Sequence, residues 1–376
     1  MHYFDCAATY APFEGALECY ENISRSHFGN PSSVHGFGND ARRILEDSKK
    51  KILDSFGLIS THDCIFTSGA TESNNLALKG FALRYQNRGK RILTSSVEHP
   101  SVLEPLKSLE KMGFQVDFLP VNEAGIVEPS VLEKTMGNDV ALVSIMGVNN
   151  ETGAIFPLKD YLSITSHFPK ALFHSDLTQA IGKVEMPLNR LDSFSFSGHK
   201  IGGLKGTGAL ILSKKRSLIP QMDGGGQQNG FRSGTVDVAG AASLAYAVVK
   251  SRQEEAINLQ IENDRSAYLK NKLSVISEIV WNTPSLASPY ILNFSLSSHK
   301  ASVIVEGLSE KGFYVSSVSA CSSKKEPVSE VLTAMGRSSR LAGNSIRVSL
   351  PPDVEEKELD EFADTIKCLL DEVRPL

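Results

Sequence analysis

Residues 192–208 read D-S-F-S-F-S-G-H-K-I-G-G-L-K-G-T-G. Phe194 and Phe196 alternate with Ser193, Ser195 and Ser197, the period of a β-strand, and the glycines after them end it. Lys200 therefore sits just beyond a strand end, beside Ser197 and His199. In open α/β sheets ligands bind outside the carboxyl ends of the strands, so a lysine delivered there is placed to meet a small molecule. A solvated loop lysine is the ordinary alternative, because most lysines are exposed. The flanking chain decides between the two.

The same grammar repeats towards the N-terminus. Cys64 to Thr67 reads as a short strand, Ser68-Gly69-Ala70 as a tight turn, and Thr71 onward as a helix carrying Leu76, Leu78, Phe81 and Leu83. Free backbone N–H groups and the positive dipole end of such a helix suit a phosphate, although an ordinary βα turn reads the same way. A strand at Arg91 to Ser95 leads to His99, where an imidazole can stack on a flat ring, relay a proton or simply fill a core. The apolar run Val140 to Ile145 reads as a buried parallel strand and leads to Asn149, Asn150 and Gly153. Those asparagines are either turn residues or, for Asn150, a ligand donor. Ala171 to His174 is the next strand, ending at Asp176, with Gln179 one helical turn beyond. Asp176 either caps the next helix or meets a ligand. Repeated β-then-α segments with polar side chains at one edge describe a doubly wound α/β sheet.

A phosphate turn, an aspartate and a strand-end lysine have one economical joint explanation, pyridoxal 5′-phosphate. Its aldehyde condenses with a lysine, its pyridinium nitrogen needs a carboxylate, and its phosphate wants a helix N-terminus. Lys200, Asp176 and the Ala70-Thr71 turn are assigned to those parts. NAD binding is the weaker competitor, because no G-x-G-x-x-G follows an early strand with an acidic residue about 20 positions on.

Composition narrows the class. At 376 residues the chain exceeds the usual reach of one core, and a prior of ~150 residues per domain predicts two or three units. With 41% hydrophobic and 22% charged residues it has enough apolar material for sizeable cores. A net charge of -4 without a basic stripe gives no reason to expect nucleic acid. No apolar stretch of ~18 residues and no leader pattern occurs, so neither a membrane span nor a targeting segment is expected. Cys6, Cys19, Cys64, Cys321 and Cys368 are scattered without C-x-x-C spacing, which argues for a reducing, cytoplasmic setting and against a structural metal site. His35, alone among turn residues, reads as structural.

Taken together, these motifs resemble the class V aminotransferase group and, within it, the cysteine desulfurases of the NifS and IscS type. The resemblance rests on F-T-S-G-A-T-E-S-N-N at 66–75, S-S-V-E-H at 95–99, V-S-I-M-G-V-N-N-E-T-G at 143–153, S-F-S-G-H-K at 195–200, G-G-G-Q at 224–227, R-S-G-T at 232–235, S-A-C-S-S at 319–323 and S-I-R-V-S-L at 345–350. It implies the fold type I of pyridoxal-phosphate-dependent transferases: a large domain, residues 14–255, with a mostly parallel seven-stranded sheet, and a smaller α+β C-terminal domain, 256–376 with 1–13. By the same resemblance Lys200 would hold the cofactor, His99 would stack on its ring, Asp176 would meet the ring nitrogen, and Gln179 and Asn150 would reach the ring's substituents. Ala70, Thr71, Ser197 and His199 would grip the phosphate, joined by Thr235 from the other subunit of a homodimer. Arg347 would clamp the substrate carboxylate, a task suited to a guanidinium, where the lone residue otherwise reads as a surface ion pair.

Cys321 follows a strand at Phe313 to Ser317 and stands among Ser319, Ala320, Ser322, Ser323, Lys324 and Lys325. That small, polar setting reads as an exposed loop, and nearby lysines favour a thiolate, so Cys321 is a nucleophile rather than a packing residue. The implied activity converts L-cysteine to L-alanine, leaving the sulfur as a persulfide on Cys321 for an acceptor or scaffold protein in iron–sulfur cluster or thio-cofactor assembly. Selenocysteine lyase and a non-catalytic sulfur-carrier-binding scaffold are the alternatives. The chain departs from the family pattern at Cys6, Tyr10, Gly202, Leu204 and Val318, and the changes at Gly202 and Leu204 are expected to loosen the lysine's loop.

Overall fold

The computed structural model describes residues 1–317 and 328–376. Cys321 and Val318 lie outside the described residues. In chain order the strands are β1 (His2–Tyr3), β2 (His62–Thr67), β3 (Arg91–Ser95), β4 (Gln115–Leu119), β5 (Val140–Ser144), β6 (Leu172–Asp176), β7 (Ser193–Ser197), β8 (Gly208–Ser213), β9 (Ile279–Trp281), β10 (Leu292–Leu296), β11 (Phe313–Tyr314), β12 (Ser316–Ser317) and β13 (Ser345–Val348). The helices are α1 (Glu14–Ser26), α2 (Gly36–Ser55), α3 (Ala70–Tyr85), α4 (Pro100–Lys111), α5 (Pro129–Thr135), α6 (Leu158–Thr165), α7 (Val238–Leu273), α8 (Ala301–Glu310), α9 (Glu330–Ala334), α10 (Ser339–Gly343) and α11 (Glu356–Glu372).

Seven strands form one sheet in the order β2-β8-β7-β6-β5-β3-β4. Only β8 runs against its neighbours, being antiparallel to both β7 and β2. The carboxyl ends of β2, β3, β5, β6 and β7 consequently share one edge, as the repeated β-then-α grammar implies. The strand Ser193–Ser197 is buried along its whole length, serines included. Its alternation separates two buried faces rather than core from solvent. Phe194 and Phe196 join the core beneath α2 and α7, packing edge-on to Phe56. The serines face α3, where hydroxyls remain tolerable only because each finds a partner.

A second, antiparallel sheet has the order β12-β13-β10-β9, and β1 pairs in parallel with β11 beside it. The expected single strand at 313–317 is thus divided: Phe313–Tyr314 pairs with the N-terminus and Ser316–Ser317 with β13. A separate core joins these strands to α8 and α11 through Phe4, Phe294, Ile304, Phe362 and Ile366. The 36-residue α7 serves both cores: Leu244 and Val248 belong to the first, Leu269 and Leu273 to the second. Position 255/256 falls inside this continuous helix. Among the described residues no helix is long and apolar enough to cross a membrane.

Candidate active site

The edge shared by the parallel strands collects the chain's chemistry. Lys200 closes a short 3-10 turn directly after β7, and its Nζ donates to the carbonyl oxygens of Ala7 at 2.7 Å and Ala8 at 2.6 Å. The N-terminal segment is brought there by its own ladder: Asp5 bridges to Ser349, and Tyr10 N donates to the His199 carbonyl at 2.7 Å. Burial, followed by the positive charges of Lys183 and Arg347, pulls the Lys200 amine down to about 7. A lysine in that state is available as a neutral amine near neutral pH.

The turn after Lys200 is tied at Gly202 and Gly203. Gly202 has φ +78°, and a Cβ there would lie 2.3 Å from the Phe13 ring, so an aromatic side chain has no room in this backbone. Phe13 N donates to the Gly202 carbonyl at 2.8 Å and Gly203 N to the Gly198 carbonyl at 2.9 Å, which tie the loop on both sides.

Asp176 is the last residue of β6 rather than a residue beyond it, and it is buried. Its Oδ1 accepts from Thr178 N at 2.9 Å and its Oδ2 from Asn74 Nδ2 at 2.7 Å. The turn-holding and ligand readings of Asp176 therefore share one carboxylate. His99 is the N-cap of α4. Its Nδ1 accepts from Ser101 N at 3.1 Å, so the neutral ring carries its proton on Nε2. Burial lowers its pKa most, the Asp176 charge raises it and Lys200 lowers it again, which puts the three groups within electrostatic reach of one another.

At the start of α3, Ala70 N donates to Ser197 Oγ at 2.7 Å, pinning the turn to the end of β7. A Cβ on Gly208 would come within 2.5 Å of Gly69 Cα, so the turn reaches that position only because β8 opens on glycine. Thr71 follows in the exposed first turn, where N–H groups lack intrahelical acceptors. His199 Nδ1 lies 3.2 Å from Thr9 Oγ1, and burial with the charges of Lys200, Lys205 and Lys183 brings its pKa down to about 4.

Of the two asparagines, Asn149 is the turn residue. It is fully buried, its Oδ1 accepting from Glu151 N and Thr152 N at 2.9 and 3.0 Å. Asn150 is half-buried, and its carbonyl accepts from Arg347 Nη1 at 2.9 Å. Arg347, on β13, also pairs with Asp5 through Nη2 at 2.9 Å, while its buried Nε has no partner among the described residues. Gln179 is buried, donating from Nε2 to the Ala7 carbonyl at 2.9 Å and accepting at Oε1 from Lys183 at 3.0 Å. Thr235 stands apart, exposed along a recess of ≈ 220 Å³ that it shares with Ser68, Thr207 and Arg232. Cys321 is outside the described residues, and His35 is the N-cap of α2.

Four contributors escape a reading of the motifs: the carbonyls of Ala7 and Ala8, Asn74 and Lys183. Backbone oxygens carry no sequence signal. Asn74 does leave one, since it lies on the same helical stripe as Leu78 and Phe81, where an unpaired amide would be costly. The donor set suits pyridoxal phosphate: an amine at carbonyl oxygens, a buried carboxylate, an imidazole and a helix N-terminus.

Comparison with known proteins agrees with this geometry. Residues 2–362 match the family model described as Aminotransferase class-V. A NifS/IcsS protein homolog of Lactobacillus delbrueckii subsp. bulgaricus is 39% identical over 369 residues, covering 96% of this chain and 95% of that protein. A cysteine desulfurase IscS of Dictyoglomus turgidum is 36% identical over 378 residues, covering 100% and 95%. Among solved structures, a NifS-like protein superposes with a TM-score of 0.91 at 34% identity, covering 99% of this chain and 100% of its own. Similarity of this extent, continuous from β1 into α11, makes the chain a member of the class V aminotransferase family in its NifS/IscS-like cysteine desulfurase branch.

Proposed function

We propose that this protein is a pyridoxal-phosphate-dependent cysteine desulfurase that takes L-cysteine to L-alanine and holds the sulfur on Cys321. The observation that carries the reading is the convergence of the Lys200 amine, the Asp176 carboxylate and the His99 imidazole at one sheet edge. The cofactor, when bound, supplies a sink for the electron pair left when the substrate loses its Cα proton.

The chain's own residues do the rest. Lys200 would hold the cofactor's aldehyde carbon, and its neutral Nζ would take the substrate's Cα proton. Asp176 would meet the ring nitrogen. His99 would stack on the ring and exchange a proton at Nε2. Asn150 and Gln179 reach the ring's substituents. The first turn of α3 at Ala70 and Thr71, with Ser197 and His199, receives the phosphate. Thr235 completes that grip from the partner subunit of a homodimer, a role supported by its exposure. Arg347 binds the substrate carboxylate, a task suited to its guanidinium fork. The Cys321 thiolate then attacks the substrate sulfur. An S–S bond forms as the Cβ–S bond breaks, so one thiol and L-cysteine become one persulfide and L-alanine.

The division into residues 14–255 and 256–376 with 1–13 goes with this reading, supported by the two separate cores. An acceptor or scaffold protein for the sulfur and a cytoplasmic setting complete it; the free thiols of Cys6, Cys19, Cys64 and Cys368 support the latter.

The test is alanine and sulfide release from L-cysteine, with a thiol reductant, by wild type and Cys321→Ala. Wild type is expected to produce both, and the variant to keep its yellow cofactor while losing sulfide release. A fully active variant overturns the persulfide role of Cys321.

A further inference from the structure

Asn74 is fully buried on the sheet-facing side of α3, and its amide makes all four hydrogen bonds open to it. Nδ2 donates to Asp176 Oδ2 at 2.7 Å and to Ser101 Oγ at 2.9 Å. Oδ1 accepts from Ser195 Oγ and from His174 Nε2, the latter at 3.0 Å. The partners determine which end of the amide is which. A carboxylate only accepts, so the atom facing Asp176 is the nitrogen.

Every proton in the network then has a place. His174 carries its proton on Nε2, and its Nδ1 accepts from Ser193 Oγ at 2.8 Å. Burial holds this ring neutral, bringing its pKa down to about 4. On the other branch Ser101 Oγ accepts from Asn74 and gives its own hydrogen to His99 Nδ1 at 2.8 Å. Both amide hydrogens of Asn74 are therefore spent on groups assigned to the cofactor, one directly and one through a serine.

We propose that Asn74 is the positioning residue of this site, orienting Asp176 with one amide hydrogen and, with the other, fixing the Ser101 hydroxyl that donates to His99 Nδ1, an acceptor already set by the Ser101 N–H. The proposal rests on the reading of Asp176 and His99 as cofactor contacts. An asparagine that merely filled a polar gap would have no reason to couple those two side chains. Loss of the amide leaves Asp176 with Thr178 N as its described partner, and a buried acceptor that loses a donor turns to another proton source. The carboxylate then loses the contact that fixes its orientation towards the cofactor.

The experiment uses the full chain as wild type, Asn74→Ala, Ser193→Ala and Asp176→Asn. Apoprotein is reconstituted with pyridoxal 5′-phosphate, and the visible absorbance of the bound cofactor is titrated with pH. Asn74→Ala is expected to bind the cofactor roughly tenfold more weakly and to move the absorbance midpoint by about one pH unit. Ser193→Ala removes a hydrogen bond from the far end of the same network and is expected to leave both within about twofold, whatever its melting temperature. Equal effects of the two variants, or none from Asn74→Ala, overturn the proposal. If Asp176→Asn also leaves the cofactor unaffected, it is the underlying reading that fails. Should Asn74→Ala not fold, Asn74→Ser is measured in its place against the same controls: weaker cofactor binding with a moved absorbance midpoint supports the proposal, and effects equal to those of Ser193→Ala overturn it.

Discussion

Lys200 Nζ is held by two main-chain carbonyls, yet burial and the charges of Lys183 and Arg347 bring its pKa down to about 7 from the ordinary 10.5. For a base whose folded pKa is depressed, the cationic form costs stability below about 7, and the cost disappears as pH rises towards 10.5. The reactive neutral amine accordingly accumulates above about pH 7. The rate at which apoprotein takes up pyridoxal phosphate is expected to rise with pH with a midpoint near 7, and stopped-flow absorbance will show it. Lys183→Met removes the first of the two positive charges and is expected to move that midpoint upward. A midpoint unchanged in Lys183→Met would mean that the Lys183 charge does not depress Lys200. None of this is visible in S-G-H-K, because the groups that tune the lysine come from the first eight residues, from beyond β6 and from β13.

The turn between β7 and β8 is where local sequence and packing meet. Its glycines announce a strand end, but the reason for Gly202 is the Phe13 ring, almost 190 positions away in sequence. Gly202→Ala forces a side chain into a left-handed residue and against that ring, at a cost of about 1–3 kcal/mol. Urea unfolding is expected to show the loss together with reduced cofactor content. Leu204→Ala, at a half-buried position without the φ constraint, should cost less. β7 itself illustrates what periodicity can and cannot say. Alternation of Phe and Ser correctly locates the strand and its side-chain directions, whereas the burial of both faces depends on α3 and α7 covering them. Likewise, Asp176 and Gln179 are legible as strand-end polar groups, but only packing shows Asn74 beneath one and Lys183 beside the other.

At the scale of the whole molecule, α7 joins the two cores, and Glu262 is buried in it with neither carboxylate oxygen hydrogen-bonded among the described residues. Burial pushes its pKa up to about 8 from 4.5, and Glu98, buried beside Ser95 and Met146, is raised to about 8 as well. These acids keep their protons when folded and lose them when unfolded. Each therefore costs nothing below about pH 4.5, destabilises increasingly as pH rises, and reaches its full penalty above about 8. Glu262→Gln should match wild type near pH 4.5 and exceed it by about 1–3 kcal/mol near pH 9, as measured by denaturant unfolding at the two pH values. An equal difference at both pH values would show that Glu262 acts through packing rather than ionisation. Leu269→Ala, in the half of α7 that enters the second core, is expected to cost about 2–5 kcal/mol in the same experiment.

The sequence by itself determined the repeated strand-then-helix grammar from Cys64 to Lys200, the placing of polar groups at strand ends and the membership of the family, because these depend on periodicity, turn residues and contiguous motifs. Its signals were weakest where pairing is non-local: the divided strand at 313–317, the continuity of α7 across position 255/256, and the delivery of the N-terminal carbonyls to Lys200. Only the tertiary structure decided those, and with them the protonation of Lys200, the hydrogen-bond order through Asn74 and the ion pair of Arg347 with Asp5. The physical reason is common to all of them. Desolvation, charge–charge interaction and hydrogen-bond satisfaction depend on which groups meet in space, and Asn74 for Asp176, Ala7 and Ala8 for Lys200, and Asp5 for Arg347 each lie more than 100 residues away along the chain.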